Sequence, residues 1–136
     1  MTKCLADSKK NVREAAIKAL EEWATQVPLE KMVSVLSAAS QPTAKNGSVI
    51  PSEGRAAALD IAAKCVTSLS ATPSQDVLSI LGSTAATSIS DKTPEVRGAS
   101  ERLVKALCES GGDRFKRTID NKTRTALSAA LDKYSI

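Results

Sequence analysis

The chain has 136 residues, 42% of them apolar and 25% charged, a size that suits one ordinary globular domain. It contains no histidine and three aromatic residues, Trp23, Phe115 and Tyr134, which excludes a histidine base, a His-ligated metal, a Ser-His-Asp triad and a base-stacking surface built on several rings. The net charge of +4 fits an acidic partner without demanding one.

Alanine is the most abundant residue, and Val, Ile, Tyr and Phe are thin. That balance favours helices with a core of short side chains. Two triplets then give the organisation: Arg13, Arg55 and Arg97, and with them Ala15, Ala57 and Ala99, recur every 42 residues, a period of paired-helix solenoids. Residues 1–6 are too short for a full first helix, so the first repeat reads as truncated and the chain as the carboxy-terminal part of a longer solenoid.

Asn11, with Glu14 three residues on, signals a helix start. Val12, Ala16, Ala19, Leu20, Trp23 and Val27 follow on one helical face, which puts Trp23 in the core. Leu29, Met32, Val33 and Leu36 mark the next helix. From Gln41 to Ser52 the chain reads as a loop of a dozen residues holding Pro42, Gly47 and Pro51. The helical face then returns at Ala58, Leu59, Ala62, Cys65, Val66 and Leu69. Thr72-Pro73-Ser74-Gln75 reads as a capping box with Pro in the first turn, ahead of Val77, Leu78, Leu81, Ala85 and Ile89. Thr93-Pro94 repeats the cap-and-proline pattern before Val96, Ala99, Leu103, Val104 and Leu107. Gly111-Gly112-Asp113 is expected to end that helix and cap a short one carrying Phe115 and Ile119. A closing helix runs from Asn121 to Tyr134, with Leu127, Ala130, Leu131 and Tyr134 on one face.

The predicted architecture is all-α: one solenoid segment over residues 1–136, with repeats at about 1–27, 28–70 and 71–111 and closing helices over 112–136. Cys4, Cys65 and Cys108 are odd in number and far apart, and they read as small buried apolar residues of a reducing compartment. No phosphate-binding loop, metal-ligand cluster or membrane span is legible, so no cofactor, no metal and no enzyme activity are expected.

In such a stack, turns within repeats line one edge and turns between repeats line the other. The first edge would hold Lys9, Lys10, Lys45 and Lys92 with Asn11, Asn46 and Ser52. The second, around Val27-Pro28, Ser70 to Pro73 and Glu109 to Asp113, has no Lys or Arg.

Asp7 and Arg13, with Val12 before the Arg and Ala15 after it, resemble the HEAT repeat, as do Asp91, Val96, Arg97 and Ala99. More narrowly, the segment from Cys4 to Trp23, the segment from Asp91 to Arg97 and the close from Ala129 to Tyr134 resemble TOG domains of the microtubule polymerase and plant microtubule-organization protein family, most of all the fourth TOG domain of the array. That resemblance implies about three HEAT-type helix pairs with a closing helix, part of a longer TOG domain. It also implies a tubulin-binding module that assists microtubule polymerisation in the cytoplasm, on microtubules and spindle. Its partner would be αβ-tubulin or the microtubule, an acidic protein surface, with no nucleic acid and no membrane, and the segment itself monomeric.

The same resemblance assigns a structural ladder to Asp7, Arg13, Asp91 and Arg97, each Arg with its Asp six residues earlier, and tubulin contacts to Lys9, Lys10, Asn11, Lys45, Asn46, Ser52, Arg55 and Lys92. The middle Asp is replaced by Val49. Arg55 is therefore expected to hold a freer guanidinium, available to tubulin. The alternative is a HEAT scaffold or adaptor for another protein partner.

Overall fold

The computed structural model describes residues 9–40, 50–68 and 73–134. Asp7, Lys45, Asn46, Val49, Cys4, Leu69 and Thr72 lie outside the described residues, as does the start over 1–6. The described elements are all helical: α1 Lys10–Gln26, α2 Leu29–Ala39, α3 Ser52–Thr67, α4 Gln75–Ser88, α5 Pro94–Thr118, α6 Asn121–Ala126 and α7 Ser128–Tyr134.

These helices form two layers. α1, α3 and α5 lie side by side, α2 and α4 form the second layer on α3 and α5, and α6 and α7 extend the layers beside α4 and α5. The 42-residue period is visible as contact: Asp60 on α3 meets Arg102 on α5 in a forked pair at 2.7 and 3.1 Å, and Ala16 on α1 shares a small core cluster with Ala58 on α3. Residues one period apart are thus neighbours in space, as expected for repeats stacked in register.

Local chemistry sets the boundaries. Val27 leaves the helix because Pro28 follows it, and proline disfavours helical geometry in the residue before it. Ser74, rather than Thr72, caps α4, its Oγ accepting from the Val77 N–H at 3.4 Å, so Pro73 stands before the cap and outside the first turn. Pro94 does occupy the first turn of α5 behind Thr93. α3 buries Gly54, Ala56, Ala58, Leu59, Ile61, Ala62 and Val66 because helices cover it from several sides. Its short side chains are what allow that central position.

The double glycine does not end α5. The helix runs on through Gly111 and Gly112 to Thr118, and Asp120 caps the next one, accepting the Thr123 N–H at 2.7 Å. A Cβ on Gly111 would stand 2.9 Å from the Phe115 Cβ, where neighbours one turn apart in a regular helix are about 5–6 Å apart. Glycine at position 111 therefore leaves room for Phe115 one turn on. Phe115 and Ile119 lie against α4 at Gly82, where both are buried. The closing helix is likewise divided at Leu127, which is fully buried between α6 and α7.

Trp23 is 43% exposed and does not belong to the core. α1 meets α3 through Ala16 and Leu20, and no described helix lies over the flank that carries Ala19 and Trp23. Cys65 and Cys108 are half-buried against the core, and burial raises both thiol pKa values, which keeps them protonated. Gly98 gives a test of the α5 register, since a Cβ there would meet only the Arg102 guanidinium at 3.5 Å. Gly98→Ala should raise stability by about 0.5–1 kcal/mol through helix propensity, measured by urea denaturation.

Candidate interaction edge

The starts of α1, α3 and α5 stand along one edge because these three helices lie in register. Lys9 and Lys10 open α1, Pro51 and Ser52 open α3, and Lys92 with Thr93 opens α5. Lys9, Lys10, Asn11 and Lys92 are exposed, while Ser52 is half-buried. Lys10 stands 3.8 Å from Glu14 one turn on, a solvent-exposed pair of little energetic weight. The first turn of α1 has no acidic residue, whereas α3 has Glu53 and α5 has Glu95. The positive end of the α1 dipole therefore adds to the two lysines.

Arg55 departs from expectation. Its guanidinium is mostly buried, paired with the Asp91 carboxylate, and its Nε donates to the Ile50 carbonyl at 3.1 Å. Asp91 Oδ1 accepts from the Thr93 N–H at 2.9 Å, which turns Oδ2 back toward α3 and so toward Arg55. Burial alone would push the Asp91 carboxyl up, but the Thr93 N–H and the Arg55 guanidinium outweigh it and hold the group below the usual carboxylate range. Arg97, six residues after Asp91, donates to the Asp91 backbone carbonyl at 3.2 Å and leaves the carboxylate to Arg55. The ladder ion pair thus joins neighbouring repeats. Arg55 is a structural member of it, and its guanidinium is not the freer one that the missing Asp at position 49 suggests.

Arg13, one period before Arg55, is half-buried near the start of α1. The structure brings Lys9, Lys10, Asn11, Ser52, Arg55, Asp91, Lys92 and Arg97 to one edge. Asp7, Lys45 and Asn46 are outside the described residues. Ile50 is fully buried just before α3, which anchors this edge through a small cluster with Ala16, Ala39 and Ala58.

Sequence reasoning missed a second set of cations. Because α5 continues past Gly112, its end carries Arg114, Lys116 and Arg117, and α6 just beyond it carries Lys122 and Arg124. The contrast between one basic edge and one edge without basic residues fails at this end of the molecule. Reading the double glycine as a stop detaches Arg114, Lys116 and Arg117 from the end of α5 and so hides the cluster.

Shallow grooves run between the helices, among them one of about 360 Å³ beside Glu21, Ile61 and Cys65 and one of about 470 Å³ beside Asp60, Arg102 and Lys105. Neither reaches the lysines at the helix starts. Among the described residues no group of three or more His, Cys, Asp and Glu side chains could hold a metal, and no helix is long and apolar enough to cross a membrane.

The class defined by this fold and edge is a two-layer helical-repeat segment with lysines at its aligned helix starts. The chain is similar to protein MOR1 of Arabidopsis thaliana, 32% identical over 132 residues and 96% of its own length, and to protein MOR1 of Oryza sativa subsp. japonica, 34% identical over 110 residues and 81% of its length. It spans only 6% and 5% of those two proteins. No family model matches the chain, and no solved structure does.

Proposed function

We propose that this chain is a TOG-type segment of HEAT repeats that binds αβ-tubulin through the edge formed by Lys9, Lys10 and Lys92, in the cytoplasm and on microtubules. It acts by binding, without bond chemistry. The observation that carries this reading is the alignment of exposed lysines at parallel helix starts, on a chain that resembles protein MOR1 of Arabidopsis thaliana over 96% of its length. Arrayed modules of this kind would hold tubulin near a growing end and so assist polymerisation. The finer assignment, to the fourth TOG domain, rests on the likeness of the segments around Arg13, Arg97 and Tyr134.

The Asp91–Arg55 pair ties the start of α3 to the turn before α5, next to Lys92. Binding to an acidic protein surface should be weak for this segment by itself and should fade as salt screens the lysines. A titration of the chain against αβ-tubulin at low ionic strength tests this. Lys9→Glu with Lys10→Glu should weaken the affinity about tenfold, since each reversed surface charge is worth about 0.5–1 kcal/mol. Equal affinity for the variant and the parent chain would remove this edge from the site, and absence of any complex at low salt would remove the tubulin reading.

A further inference from the structure

The second basic cluster needs its own explanation. Residues 114–124 carry five basic residues and one acidic residue, Asp120, so this short stretch holds a charge of +4, equal to the net charge of the whole chain. Arg114, Arg117, Lys122 and Arg124 are exposed, and among the described residues none of them is in an ion pair. Asp120 is occupied as the cap of α6, and its hydrogen bond from the Thr123 N–H lowers its pKa.

Local energetics accounts for only part of this cluster. Arg114, Lys116 and Arg117 sit at the carboxy-terminal end of α5, where cations favour the helix dipole. Lys122 sits in the first turn of α6, beside the Asp120 cap that answers the dipole there, and Arg124 sits in its last turn, where the dipole favours a cation. Arg114 and Arg117, three residues apart, repel one another on neighbouring positions of α5. Arg124 folds back to donate to the Lys116 carbonyl, which draws the two halves of the cluster together.

The backbone beneath is packed. Phe115 and Ile119 alternate with the cations and are buried against α4, and Thr123 is buried at the start of α6. Binding then costs the rotamer freedom of the exposed cations and little backbone ordering. The exposed positions of the stretch carry no aromatic ring for stacking bases and no apolar residue for entering a lipid interface. Arginine supplies a planar fork that suits carboxylates.

We propose that the junction of α5 and α6 is a docking surface for an acidic, extended polypeptide segment rich in Asp and Glu, held by Arg114, Arg117, Lys122 and Arg124. It lies at the opposite end of α5 from Lys92 and does not depend on the tubulin reading.

Fluorescence anisotropy of a labelled decaglutamate peptide, titrated with the whole chain at low and moderate salt, tests the proposal. The neutralised variant Arg114→Gln/Arg117→Gln/Lys122→Gln should lose about tenfold in affinity, whereas Lys18→Gln/Lys31→Gln/Lys64→Gln, which removes the same charge from exposed lysines on other helices, should lose less than about twofold. Circular dichroism melts establish that both variants are folded. Equal losses in the two variants would overturn the proposal, since total charge alone would then explain the binding. Failure of the peptide to bind, or tighter binding by a single-stranded DNA decamer or by phosphatidylserine vesicles, would overturn it as well.

Discussion

Replacing Phe115 with alanine will lower the free energy of unfolding by about 3–5 kcal/mol, as truncating a fully buried aromatic ring does. Phe115 is the fully buried member of the three aromatic residues. The core around it is otherwise made of aliphatic and small side chains, so a large share of the apolar contact between α4 and the end of α5 passes through this ring. The ring fits because its neighbours are small. A Cβ on Gly82 would lie 3.1 Å from its Cε1 and 2.8 Å from Ile119 Cγ2, and a Cβ on Gly111 would lie 3.0 Å from Leu78 Cδ2. Gly82→Ala should therefore cost about 1–3 kcal/mol by overpacking, against the roughly 1 kcal/mol that alanine gains in helix propensity. Combined with Phe115→Ala, the added methyl group meets a cavity, so the double variant should be less destabilised than the sum of the two singles. Urea denaturation of the four proteins measures this. Strict additivity would mean that the ring and the glycine do not share a packing site. Hydrogen exchange should show α6 and α7 losing protection first in Phe115→Ala, since α6 packs on α4 and α7 on α5 beside the lost ring.

The outline of this packing was legible in the sequence because helical periodicity reports which face is covered. Val96, Ala99, Leu103, Val104 and Leu107 are all fully buried, and so are Met32, Leu36, Leu78 and Leu81 to within a per cent. Periodicity does not report what covers a face. Trp23 lies in step with Leu20 yet stands exposed, because burial depends on a neighbouring helix and not on the helix itself. The double glycine failed as a stop signal for a related reason. Glycine lowers helix propensity by about 1 kcal/mol per residue, but the burial of Phe115 and Ile119 one and two turns later favours continuation. The candidate edge was legible as a set of lysines, since turn positions follow from the 42-residue period. The role of Arg55 was not. Its partner lies 36 residues away, and only the turn geometry at Thr93 aims the Asp91 carboxylate backward across the repeat boundary.

That ion pair gives the second large effect. Arg55→Ala should cost about 2–3 kcal/mol, because it removes the cation from a mostly buried carboxylate and the donor from the Ile50 carbonyl. Arg55→Lys should recover only part of the loss, since one ammonium group lacks the fork that reaches both Asp91 and Ile50. Asp91→Asn should cost about 1–2 kcal/mol at neutral pH, less than the Arg variant because an amide oxygen can still accept the Thr93 N–H. The two substitutions differ in their pH dependence. The Asp91 carboxyl is held below the usual carboxylate range in the folded protein. Its contribution is therefore present above the unfolded value, roughly pH 4, and is lost as the pH falls through the lower folded value. The parent chain should lose stability on acidification below about pH 4, and Asp91→Asn should show a shallower decline in that window, so that the two curves converge at low pH. Parallel curves for the two proteins would assign the acid sensitivity to other carboxylates. Thermal melts at a series of pH values separate these outcomes. The same variants separate architecture from recognition: with Arg55 engaged by Asp91, a folded Arg55→Ala protein at low temperature should keep the binding that Lys9 and Lys10 confer while melting earlier.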